Sequence, residues 1–195
     1  MSTFKKRVFT PSELVKRLGL ATVYSPFLIR GMIKPLTSPA LREKVMLGVT
    51  SVNDCRYCAW VHTHLALSNG IDVDEINAIL QHNNIQTATS ADAAAVLFAQ
   101  HYADTNGKVE ASAVAALQNY FSPAQIREIK GYIQAIYIGN LSGNTFDAML
   151  ARFKGQKVED SSFLFELLCA VVTMPVLLMI MIKASRDKNV QLASL

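Results

Sequence analysis

Cysteine is scarce in this chain. Three occur among 195 residues, at positions 55, 58 and 169, too few for a structural disulfide framework. Charge is also sparse, with 17% of residues charged and 19 basic against 15 acidic side chains. The basic excess gathers in Lys5-Lys6-Arg7 and at Lys183, Arg186 and Lys188. No basic stripe interleaved with aromatics runs between these clusters, so a nucleic-acid partner is not expected. The six prolines and nine glycines fall mostly at segment boundaries, and no low-complexity stretch or flexible linker is present. No apolar run follows Met-Ser-Thr-Phe-Lys-Lys-Arg, so a secretory signal is not expected, and a cytoplasmic, reducing setting suits the few thiols. Neither G-x-G-x-x-G nor a P-loop occurs, and no cofactor is expected.

What the chain has in quantity is apolar surface. About half its residues are hydrophobic (51%), enough to bury a large core. Long windows of Ala, Leu, Ile and Val repeat at 3.6-residue spacing, and no hairpin signal separates alternating strands, so the fold class is all-α. Start signals stand at Thr10-Pro11-Ser12-Glu13, Ser38-Pro39, Asp72 and Ser122-Pro123-Ala124-Gln125. Stops stand at Gly70, Gly107 and Gly155. The pattern predicts helices over 11–19, 24–33, 39–52, 55–69, 73–82, 91–105, 110–120, 123–138, 143–153 and 162–184. Ser38-Pro39-Ala40 leading to Glu43 and Ser122-Pro123-Ala124 leading to Glu128 also suggest a duplicated helical unit. In that alignment Cys55, Cys58 and His62 stand opposite Asn140, Gly143 and Asp147. Two regions are expected: a helical domain over 1–160, and an apolar helix with a basic tail over 161–195.

The chemistry concentrates in Asp54-Cys55-Arg56-Tyr57-Cys58-Ala59-Trp60-Val61-His62. On a helix, Cys55, Cys58 and His62 fall at i, i+3 and i+7 and share a face. Two thiols near each other and near a proton acceptor make a redox pair. Only the thiolate attacks peroxide or disulfide, and a helix N-terminus raises its population. Asp54 is the expected cap, Cys58 the expected reactive thiol, and His62 the acceptor of its proton. Oxidation to a sulfenic acid followed by condensation with Cys55 would close a disulfide, which an external dithiol must reopen. A zinc site is the weaker alternative, because one helix supplies only three ligands and Cys169 is the only further cysteine. Inert packing is the other. Tyr57 and Trp60 are expected to pack beside the site, His64 to lie off its face, and Cys169 to be an inert apolar filler.

Glu43-x11-Cys55-x2-Cys58-x3-His62 resembles the signature of the alkylhydroperoxidase D-like branch of the carboxymuconolactone decarboxylase family. The stretch Gly139-Asn140-Leu141-Ser142-Gly143-Asn144-Thr145-Phe146-Asp147 is similar to one found in such proteins, extending the likeness over roughly 38–155. The resemblance implies an all-helical bundle assembled as a homo-oligomer, a trimer or hexamer. It also implies thiol peroxidase activity on a hydroperoxide or disulfide, with an external dithiol as reductant. Carried over, Cys58 attacks, Cys55 resolves, and Glu43 and His62 relay protons. This chain departs from some members in having Tyr57 where they have a second histidine, and a phenol is a poorer proton shuttle at neutral pH. Two rival readings follow from the same residues. One is a redox sensor or adaptor without rapid turnover; the other is a cysteine-independent lyase like the decarboxylase side of the family.

Residues 163–182 form an apolar run with one charge, Glu166, followed by Lys183 and Arg186. Twenty such residues are long enough to cross a bilayer. Pro175 and Glu166 oppose that, and burial all round between subunits is the preferred expectation, with membrane association the alternative.

Overall fold

Thr10 starts the first helix by accepting a hydrogen bond from the Glu13 amide at 3.1 Å, with Pro11 in the first helical position. From there the computed structural model, which describes residues 2–82 and 90–186 and side chains through Ile182, builds eight α-helices. They are α1 (Pro11–Ile33), α2 (Pro39–Asn53), α3 (Arg56–Ser68), α4 (Val73–Leu80), α5 (Ser90–Asp104), α6 (Ala111–Gln118), α7 (Pro123–Phe153) and α8 (Phe163–Arg186). The all-α class is as expected. Lys188 and the rest of the expected basic tail lie outside the described residues.

Two of the expected breaks are absent. The segments 11–19 and 24–33 are one helix, α1, although Pro26 lies inside it. Proline lacks the amide that would bond the Thr22 carbonyl; the Ser25 hydroxyl donates to that oxygen instead, at 2.9 Å. Likewise 123–138 and 143–153 are one helix, α7, running straight through Gly139 and Gly143. Glycine costs a helix interior about 1 kcal/mol, and here packing outweighs that cost, because both glycines lie against the cysteine pair. The stops at Gly70, Gly107 and Gly155 are as read, each at a positive φ between 74° and 86°.

The core is organised around α2 and α7, which pack on each other. Val45, Val49, Ile129, Ile133 and Leu141 are buried between them together with Cys55 and Cys58. α5 closes one side of α2, α1 lies along α7, and α3 fits against both central helices. The two halves of the suggested duplication start alike, with Ser38 and Ser122 capping behind a proline. They continue differently: α2 stops at Asn53 and α3 begins afresh, while α7 carries on through the equivalent position. Helix α8 packs on α7 and α3. Its inner stripe includes Glu166, Cys169, Ala170 and Leu177, and its outer face exposes Leu164, Leu168, Val171, Val172 and Met179. Within one chain, then, the helix is covered on one side only, not all round.

Candidate active site

The site is made by an abrupt change of direction. Asp54 takes a left-handed conformation (φ 53°, ψ 47°) and closes α2, its amide bonding the Thr50 carbonyl. This corrects the expectation that Asp54 caps α3. Its carboxylate is turned outward to Lys6, 3.1 Å away, because Asp54 serves as the left-handed C-cap of α2 and stands one residue before the N-cap of α3. The N-cap of α3 is Cys55 itself, in extended conformation (φ −91°, ψ 105°). Cys58 follows in the first turn. Both cysteines are free thiols and almost wholly buried, at 1% and 3% exposure.

That backbone arrangement treats the sulfurs differently. The Cys58 thiol, as donor, does most to lower the Cys55 thiol below its ordinary range. Burial and the nearby Asp147 charge oppose this, while the amides of Cys58 and Tyr57 reinforce it. No cap bond of normal geometry closes the first turn, yet those amides point positive charge at a soft sulfur. Cys58 goes the other way. Its role as donor, its burial and the charge on Cys55 hold its thiol well above the usual range. Of the two thiols, Cys55 is therefore the one that ionises more readily, whereas the sequence pointed to Cys58 as the reactive thiol.

Glu43 comes from α2 and His62 from α3, and the fold brings them together: His62 Nδ1 lies 2.8 Å from Glu43 Oε2. Arg42 Nε donates to the other carboxylate oxygen, also at 2.8 Å. Glu43 is 1% exposed, so it is not an ordinary surface glutamate. Burial pushes its carboxyl up, but bonds and charges from His62 and then Arg42 outweigh that and leave it below the usual range. Cys58 and His62 stand one turn apart on α3, and among the described residues no hydrogen bond joins His62 to either sulfur. His64 faces elsewhere, its Nδ1 2.7 Å from the Trp60 carbonyl and its ring stacked on Trp60. Cys169 is buried in α8 and its thiol is raised by burial.

Residues that the sequence pattern did not bring forward complete the site. Gly139 and Gly143 form the wall of α7 behind the pair. A β-carbon at Gly143 would fall 2.6 Å from Cys55 Sγ and 3.1 Å from Tyr57 Cδ2; one at Gly139 would fall 3.6 Å from Cys58 Sγ. Asp147, one turn beyond Gly143, accepts from both Tyr57 and Arg56. A Gly-x3-Gly spacing inside a buried helix marks a close approach, and that signal was readable. The identity of the approaching group was not.

Residues 30–101 match the Carboxymuconolactone decarboxylase family, a segment that contains Glu43, Cys55, Cys58 and His62 and stops short of α7. No curated protein and no solved structure matches the chain.

Proposed function

From the match of residues 30–101 to the carboxymuconolactone decarboxylase family and the geometry of the cysteine pair, we propose a thiol-dependent oxidoreductase that cycles Cys58 and Cys55 between dithiol and disulfide. The observation that carries this reading is the pair at the start of α3: two free, buried cysteines whose surroundings lower the Cys55 thiol and raise that of Cys58. The proposed cycle starts from Cys58–SH beside Cys55–S⁻. Transfer of that proton to Cys55 leaves Cys58 as the nucleophile, and Cys55 serves as its base. The Cys58 sulfur attacks a hydroperoxide oxygen, the O–O bond breaks, and the alkoxide leaves as alcohol with the proton held on Cys55. Cys55, a thiolate again, attacks the sulfenic acid on Cys58 and expels hydroxide, which one further proton converts to water. His62, one turn beyond Cys58 on α3, and Glu43, bonded to it from α2, are the groups proposed to supply that proton. A disulfide substrate enters the same cycle by thiol exchange.

An external dithiol reopens the bond, as the resemblance implies. The cycle needs a reducing compartment, and we place the protein in the cytoplasm on that ground.

Intact-mass and peptide mapping after one equivalent of an organic hydroperoxide tests the reading on wild type, Cys55→Ser and Cys58→Ser. A Cys55–Cys58 disulfide in wild type and a trapped sulfenic acid on Cys58 in Cys55→Ser are expected. A trapped sulfenic acid on Cys55 alone would reverse the order of attack. Thiols that stay reduced in all three variants would remove the peroxidase reading and leave disulfide exchange or a lyase.

A further inference from the structure

A polar cluster lies beside Cys55 and has no part in the cycle above. Asp147 Oδ1 accepts hydrogen bonds from Tyr57 Oη at 2.7 Å and from Arg56 Nη2 at 2.6 Å, and Arg56 Nη2 also reaches Tyr57 Oη at 2.8 Å. One carboxylate of α7 thus ties down the two residues that stand between the cysteines. The Arg56 guanidinium lies over the phenol ring, 4.8 Å from its centre.

The ring is also a neighbour of the sulfur. Tyr57 Cδ2 and Cys55 Sγ both crowd the space in front of Gly143, so ring and thiol pack side by side on one patch of α7. Exposure rises in steps outward from that patch. Cys55 is 1% exposed, the Asp147 side chain 9% and the Arg56 side chain 60%. A thiol that has to meet an external substrate is therefore shut in, and its cover is pinned at the edge by charge-assisted bonds, which are stronger than neutral ones.

We propose that Tyr57 is a gate over Cys55, latched by Asp147 and Arg56, and that release of this latch admits the hydroperoxide or disulfide to the dithiol. The proposal rests on Cys55 and Cys58 being the reacting pair, and Tyr57 and Asp147 act in it as positioning residues. Opening needs only rotation of one side chain off the glycine patch, with α3 and α7 left in place. The glycine is part of the device, since a larger residue at 143 would hold the ring off the sulfur permanently. Asp147 has a second effect in the closed state, because its charge opposes ionisation of Cys55. The latch covers the thiol and quiets it together.

The test is the rate of alkylation at Cys55, Cys58 and Cys169 in the reduced full-length protein, resolved by peptide mapping. Wild type, Tyr57→Phe, Asp147→Asn and Asp147→Glu are compared, with iodoacetamide as small reagent and an aryl maleimide as bulky one. Asp147→Asn should speed Cys55 alkylation about tenfold, the factor that corresponds to roughly 1.4 kcal/mol of lost hydrogen bonding. The gain should be larger for the bulky reagent. Tyr57→Phe should give a smaller rise, and Asp147→Glu should stay near wild type. Added salt should speed wild type and leave Asp147→Asn unchanged, because it screens the exposed Arg56. An unchanged Cys55 rate in both Asp147→Asn and Tyr57→Phe overturns the gate. So does an equal rise at Cys169, which would report general loosening. These rates need no turnover, so a protein that consumes neither peroxide nor disulfide yet alkylates as described would sink the functional reading and keep the gate.

Discussion

Two sulfurs three residues apart differ because one sits at the N-cap of α3 and the other lies inside its first turn. Cys55 is surrounded by donors, namely the Cys58 thiol and the amides of Tyr57 and Cys58; Cys58 has burial and a negative neighbour. Replacing Cys58 by serine should therefore abolish hydroperoxide consumption, measured as loss of peroxide in the presence of a dithiol. Glu43→Gln makes a second residue-scale prediction. It removes the charge that His62 and Arg42 address, and turnover should fall on the order of 10²-fold while the disulfide still forms slowly. An unchanged rate would take Glu43 out of the proton path. Gly143→Ala is the third. Its β-carbon would press on Cys55 Sγ and on the Tyr57 ring, and overpacking of this kind costs about 1–3 kcal/mol. Thermal melts should show the loss, and reactivity at Cys55 should change with it.

At the scale of elements, caps and packing divide the work. Ser122 begins α7 with a full capping box: its side chain accepts from the Gln125 amide, and Gln125 answers on the Ser122 amide. Ser122→Ala should destabilise by about 1 kcal/mol, and for a chain of this length the midpoint of a melt should drop roughly 2–4 °C. Such caps were legible because they depend on residues three apart. The join at Gly139–Gly143 was not. Both glycines were read as a boundary, since local propensity disfavours them in a helix, whereas cysteines from another element make glycine the residue that fits. In α1 the expected gap at 20–23 is likewise filled, and Pro26 is accommodated because the Ser25 hydroxyl meets the carbonyl that proline leaves unpaired.

Over the whole molecule, two buried carboxylates couple the fold to pH. Burial pushes Glu128 up, but the Thr37 hydroxyl, the amides of Leu36 and Thr37, and the Tyr132 hydroxyl outweigh it and hold the carboxyl low, as His62 and Arg42 do for Glu43. A carboxyl lowered in the folded state adds stability that is complete above its unfolded value, near 4.5, and is lost as pH falls through the lowered one. Urea midpoints of wild type and Glu128→Gln should accordingly differ at neutral pH and converge in acid; a constant gap would refute this. α8 raises the other molecular question. Glu166 is fully buried against Arg152 and Ser161, so the one charge in the apolar run is matched inside the chain. The exposed leucines and valines opposite form an apolar face of the kind that marks an interface. Sedimentation should give a mass above the 21.4 kDa of one chain, and Leu168→Asp with Val172→Asp should lower it. Recovery of the protein with sedimented vesicles would instead favour the bilayer reading.

Local grammar alone determined the all-α class, most helix starts, the three glycine stops, and the choice of Cys55, Cys58 and His62 as candidates; Glu43 joined them only through the family resemblance. Each of these depends on residues within a turn or two of one another, or on spacing along one segment. The tertiary structure decided the rest. It made α7 continuous, turned Asp54 away from α3, buried Glu43 on His62, shifted the two thiols in opposite directions, and laid Tyr57 against Cys55 under Asp147. Those outcomes depend on which groups approach from other elements, from His62 reaching Glu43 19 residues away to Asp147 reaching Tyr57 90 residues away, and on how much water they exclude; no spacing within one helix records either.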